Sequence, residues 1–161
     1  MNPRTSTWGP PGARPRAPLA FQIAELELRL RKFSEGQADW VAQGWRIIHA
    51  EQKADPSSVL MVDGVGTQLR GTIDRIDRNE GTGDLAVLDY KSGAKVEHPE
   101  KTHHRRDRGW IDLQLPLYRH LLAGLNLSGK IHLGYVAIPN DVTAIDEMLA
   151  AWDETALAEA D

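Results

Sequence analysis

The chain has 161 residues, 41% hydrophobic and 26% charged, with a formal net charge of -4. That length suits one domain with its own core, burying roughly two-thirds of the unfolded surface. The absence of cysteine excludes disulfides, thiolate zinc sites and cysteine-ligated iron–sulfur clusters, and no run approaches the roughly 20 apolar residues of a membrane span.

Residues 1–18 hold Pro3, Pro10, Pro11, Pro15 and Pro18 among Gly, Ser, Thr and Arg. Such a segment can neither propagate a helix nor bury enough apolar surface to order itself, so a disordered Pro/Arg-rich arm is expected, followed by a single domain over 19–161. It contains no apolar signal core, and a cytoplasmic protein is expected. From Leu19 the spacing changes. Leu19, Ile23, Leu26, Leu30 and Phe33 recur at steps of four and three, which predicts an amphipathic helix packed as core scaffold. Trp40, Val41 and Trp45 extend the pattern, with Gly36 as the point of a bend or break.

Strand signals come next. Val59–Val62 is a short apolar run closed by the turn pair Asp63-Gly64. Gln68–Arg78 and Asp84–Lys91 flank Asn79-Glu-Gly-Thr-Gly83, a loop suited to a hairpin. A polar loop is predicted over Ser92–Arg108. Its basic run, His103, His104, Arg105, Arg106 and Arg108, suits phosphate contact or plain solvation. A helix over Trp110–Leu125 follows, with Pro116 near its start. Lys130–Ile138 then reads as a strand and Val142–Ala158 as a last helix, with Ile145, Leu149 and Trp152 along one stripe. The order predicts an α/β fold, a mixed sheet with helices packed on it.

The chemistry concentrates at the hairpin. In an extended strand Asp89 and Lys91 project from one face, about 7 Å apart, while Tyr90 points the other way. Alone, that pair is weak evidence and reads as an ordinary ion pair. The preceding strand carries Asp74 and Asp77, and antiparallel pairing brings Asp74 toward Asp89. Two converging carboxylates repel unless a cation or proton lies between them. An oxygen-only donor set with open positions favours Mg²⁺ or Mn²⁺, and a nearby lysine orients water or offsets charge in phosphodiester hydrolysis. The two acids differ in parity relative to their apolar neighbours, so convergence needs a bulge or twist, for which Gly71 is suited. Asp77 is read as structural, paired with Arg75 or Arg78. Gln114 and Tyr118, four apart, share one helix face.

Three blocks stand in order: Gly71-Thr-Ile-Asp-Arg-Ile-Asp77, Leu88-Asp-Tyr-Lys-Ser-Gly93 and Leu113-Gln-Leu-Pro-Leu-Tyr118. Together they resemble the RecB/AddB-type branch of the PD-(D/E)xK nuclease superfamily, with weaker similarity back to Trp40–Trp45 and Glu51. The resemblance implies a restriction-endonuclease-like core, a mixed central β-sheet flanked by helices. It implies a metal-dependent DNA nuclease, an exonuclease of DNA repair or recombination. Asp74 and Asp89 would bind Mg²⁺ or Mn²⁺ with the Tyr90 backbone carbonyl and Glu51, and Lys91 would be the catalytic lysine. Gln114 and Tyr118 would support that site, and Arg105 and Arg106 would contact DNA.

The pattern also departs from that branch. An upstream helix carrying a metal-binding histidine is implied, yet none precedes Leu19, so a shortened domain is expected. No iron–sulfur cluster is expected, and with no phosphate-binding Walker motif any helicase activity would belong to a partner. The alternative reading is an inactive nuclease-like domain that binds DNA or docks on a helicase.

Overall fold

The computed structural model describes residues 17–105 and 107–160. The expected arm at 1–18 lies almost wholly outside the described residues, as does Arg106. Helix α1 (Ala17–Ala42) leads through a left-handed turn at Gly44 (φ +93°) into β1 (Trp45–Lys53). A hairpin of β2 (Val59–Val62) and β3 (Val65–Gln68) precedes the hairpin of β4 (Thr72–Asn79) and β5 (Leu85–Gly93). Short α2 (Pro99–His103) runs into a ribbon of β6 (His104–Arg105) and β7 (Gly109–Trp110), then α3 (Gln114–Leu121). Strand β8 (Ile131–Pro139), strand β9 (Asp146–Leu149) and helix α4 (Glu154–Ala158) complete the order.

Five strands form the central mixed sheet in the order β1-β4-β5-β8-β9, with β5 and β8 parallel and the other neighbours antiparallel. The fold is mixed α/β, consistent with a restriction-endonuclease-like core. The β5 run Leu85-Ala-Val-Leu88 is buried on both faces, as a central strand requires. Val87, Ile76, Leu133 and Tyr135 pack with Leu115, Tyr118 and Leu121 on the α3 side. Ala86, Leu88 and Val136 pack with Trp40 and Trp45 on the α1 side. Each such large side chain contributes about 1.5–3 kcal/mol of transfer free energy.

The β4–β5 turn follows from its residues. Asn79 Oδ1 accepts from the amides of Gly81 (2.9 Å) and Thr82 (3.2 Å), closing the loop on its own side chain. Gly83 then takes φ +78°.

Several expectations are corrected. The apolar stripe of α1 is not core over its first half: Leu19, Leu26 and Leu30 are 48%, 53% and 52% exposed, and Trp40 is buried. Twenty-six helical residues extend about 39 Å at 1.5 Å each, whereas five strands span only about 20 Å. The helix therefore outruns the sheet. Gly36 does not end it. Trp45 starts β1 instead of continuing the helix, because Gly44 terminates it. The strand expected over Gln68–Arg78 splits into β3 and β4. The loop expected over Ser92–Arg108 contains α2, and the helix expected over Trp110–Leu125 is confined to α3. Val142–Ala158 is not one helix: Asp146–Leu149 pairs with Gly134–Ala137 as an edge strand, and sheet pairing overrides the helical spacing.

Candidate active site

The site begins where two strands part. The β4–β5 ladder runs Arg78↔Leu85, Asp77↔Ala86, Ile76↔Val87 and ends at Arg75↔Leu88. Beyond it, β4 stays paired to β1 as far as Thr72↔Lys53, and β5 stays paired to β8 as far as Gly93↔Pro139. The sheet thus forks. Asp74 and Asp89 are the first residues past the last pair, opposite each other across the opening. Side chain replaces ladder there: the Tyr90 amide donates to Asp74 Oδ2 at 2.9 Å.

On the other side of β4, Glu51 falls opposite Asp74, between the pairs Ala50↔Arg75 and Gln52↔Ile73. Its backbone is left-handed, with φ +49°, a conformation that costs a non-glycine residue about 1 kcal/mol or more. The β1–β4 register also shifts between Ile47 and His49. The irregularity anticipated at Gly71 therefore lies in β1, where an extra residue re-aims the strand. Glu51 and Asp74 line one cleft of about 370 Å³ with Ile47, Arg75 and Tyr90. The Tyr90 ring turns toward α1, edge-on to Phe33 at 6.4 Å.

Asp89 is held closely. Its Oδ1 accepts from Gln114 Nε2 at 2.8 Å and from the Tyr118 hydroxyl at 2.9 Å. Its Oδ2 meets Lys91 Nζ at 2.6 Å, and Lys91 donates to Gln114 Oε1 at 3.1 Å. The amide orientation is fixed by this circuit, since its oxygen faces an ammonium and its nitrogen a carboxylate. Gln114 Nε2 also lies 3.0 Å from the Tyr118 hydroxyl, which accepts there while donating to Asp89. Burial, reinforced by the Asp89 charge, holds the Tyr118 phenol well above its ordinary range, so it stays a donor. Asp112 positions the start of α3, its Oδ1 accepting from the Gln114 amide at 2.8 Å. The spacing of Gln114 and Tyr118 puts both on one carboxylate.

Asp77 lies elsewhere. It forms a buried ion pair with Arg75 and accepts from Trp40 Nε1 at 2.7 Å, tying β4 to α1. Arg75 also donates to Gln37, which donates in turn to Glu147 on β9. The basic run before α3 is divided. His103 is fully buried, bonded to the Asp112 carbonyl and to Tyr135, so it is no part of a surface loop. Arg105 is exposed on β6. Tyr135, beside Asp89 in the β5–β8 ladder, was not singled out from sequence, although its alternation with Leu133 in β8 marks an inward-facing position.

The donor set suits a hard divalent cation. Among the described residues no three His, Asp or Glu side chains form a cage by themselves. Magnesium-type ions keep several waters and need only one or two carboxylates. Asp74 Oδ1 takes no hydrogen bond among the described residues, and Asp89 Oδ2 retains a lone pair beside Lys91. A larger cavity of about 480 Å³ opens at the opposite end of β8, lined by Ile131, Trp152 and Leu157. Its Asp153 carboxylate caps α4 by accepting from the Ala156 amide at 2.8 Å, and none of the acids at the fork lines it.

A family model described as the PD-(D/E)XK nuclease superfamily matches residues 5–160. No curated protein matches the chain.

Proposed function

The chain belongs to the PD-(D/E)XK nuclease superfamily, and from that premise we propose that it is a Mg²⁺- or Mn²⁺-dependent DNA exonuclease of the RecB/AddB type, acting in repair or recombination. One observation carries the reading: the β4–β5 ladder ends immediately before Asp74 and Asp89, with Lys91 bonded to the second acid. In this reading residues 19–161 form the nuclease domain and 1–18 an arm.

Asp74, Asp89, the Tyr90 carbonyl and Glu51 would hold the cation. When bound, the cation supplies a water nucleophilic at neutral pH and positive charge beside the scissile phosphate. Gln114 and Tyr118 fix one oxygen of Asp89, and the other faces Lys91. Lys91, one-third exposed, offsets charge developing on the phosphate oxygens and orients the attacking water. Arg105 and Arg106 contact phosphates along the strand.

A partner reading rests on a separate observation, the exposed leucines of α1. In it the domain docks on a helicase, a protein class that supplies the motor this chain lacks. No helix of the described residues is long and apolar enough to cross a membrane, and we propose a cytoplasmic location.

Linear and circular DNA, single- and double-stranded, should be incubated with the purified protein and Mg²⁺ or Mn²⁺. Expected are mononucleotides or short products from linear DNA, no cutting of closed circles, and complete loss with EDTA. Cleavage that persists in both Asp89→Ala and Lys91→Ala would falsify the assignment.

A further inference from the structure

We propose that the buried pair His103–Tyr135 is a positioning device for Lys91, and so for turnover; this rests on the nuclease reading above. The ammonium of Lys91 sits over the Tyr135 ring, 5.2 Å from its centroid. That ring is 1% exposed and lies beside Asp89 in the β5–β8 ladder. The face of an aromatic ring attracts a cation, more strongly when both are shielded from water. Lys91 thus has three supports: Asp89, Gln114 and the ring beneath it.

His103 sets the ring. Its Nδ1 lies 3.0 Å from the Asp112 carbonyl, an acceptor only, so Nδ1 carries the hydrogen. In the neutral imidazole Nε2 is then bare and accepts from the Tyr135 hydroxyl. A phenol that donates to an imidazole pushes electron density into its ring, which strengthens the attraction for Lys91. The imidazole is packed edge-on against Trp152 at 5.8 Å. The same Nδ1 stands 3.4 Å from Asp112 Oδ1, the atom that accepts from the Gln114 amide. His103 therefore reaches Lys91 by two routes, through the Tyr135 ring and through the first residue of α3. Both routes end on one ammonium. Neither His103 nor Tyr135 touches substrate in this scheme; they act through Lys91.

The test is a set of variants in the full chain. Tyr135→Leu should lower kcat about tenfold with KM for DNA unchanged, as loss of one shielded cation–ring contact predicts. Tyr135→Phe, which keeps the ring, should recover most of that loss. His103→Leu should lower kcat by a smaller factor than Tyr135→Leu, and by less again on the Tyr135→Phe background, where only the route through Asp112 remains. Equal kcat in folded Tyr135→Leu and Tyr135→Phe, checked by circular dichroism, overturns the proposal. A second readout does not need activity. The Lys91 ε-methylene protons should be shifted upfield by the ring, a shift kept in Tyr135→Phe and lost in Tyr135→Leu. If the wild-type protein lacks that shift, the positioning role is wrong even where DNA is cleaved. If the shift is present and DNA is not cleaved, the placement of Lys91 stands and the nuclease reading fails.

Discussion

Two acid–base pairs sit on neighbouring strands with the same two-residue spacing, Arg75-x-Asp77 on β4 and Asp89-x-Lys91 on β5, and they have opposite fates. The first is sealed, its side chains 2% and 0% exposed, and every strong partner is protein. The second is open on one side: Asp89 is 6% exposed and Lys91 34%. The difference comes from the ladder. Arg75 and Asp77 lie where β4 is paired on both sides, under α1, whereas Asp89 and Lys91 lie past the point where β4 leaves β5. Identical spacing therefore yields a structural tie in one place and a candidate reaction centre in the other, according to whether neighbouring strands close over it.

The sharpest way to break this comparison is to remove one partner from the sealed pair. Asp77→Ala strands the Arg75 guanidinium in the core, and should cost about 3–5 kcal/mol of folding free energy. Urea unfolding measures it; a loss below 1 kcal/mol would mean that the pair is not the tie described. The open pair should behave in the reverse sense. Lys91→Ala should reduce turnover about 10²–10³-fold, by analogy with removal of one charge-stabilising donor, with stability changed by no more than about 1 kcal/mol. A Lys91→Ala protein that unfolds as readily as Asp77→Ala would erase the distinction.

Alkaline titration probes the phenols beneath the open pair. Burial, with the Asp89 charge adding to it, pushes Tyr135 up to about 12, and Tyr118 is shifted in the same direction. The folded chain binds these protons more tightly than the unfolded chain does. Their contribution is complete below the ordinary phenol value of about 10 and is lost as pH rises from there through the folded values. The urea midpoint should fall across that window, and fall less in Tyr135→Phe. A wild-type midpoint flat from pH 9 to 12 would contradict the burial of these rings. The smallest effect belongs to the outer half of α1: Leu26→Ser and Leu30→Ser should each change stability by less than about 0.5 kcal/mol.

Much of the candidate site was legible because its signals are local. Alternation set Asp89 and Lys91 on one strand face, and helical spacing set Gln114 and Tyr118 on one side of α3. The Asn79–Gly83 loop announced the hairpin that brings Asp74 near. What was not legible depends on partners distant in sequence. An amphipathic stripe says that one face of α1 is apolar, but not that the sheet stops short of Leu26. Nothing in His103-His104 tells which histidine is buried, since that is decided by Tyr135 and Trp152. Strand β9 reads as helix until Gly134–Ala137 stands beside it.

The left-handed backbone at Glu51 has a consequence for stability. A side chain with a Cβ is uncomfortable at φ +49°, whereas asparagine or glycine is at ease there. Glu51→Asn should raise the thermal midpoint while removing a carboxylate from beside Asp74. Under the proposed function that exchange sets backbone ease against a site carboxylate, so position 51 keeps its acid at the expense of robustness.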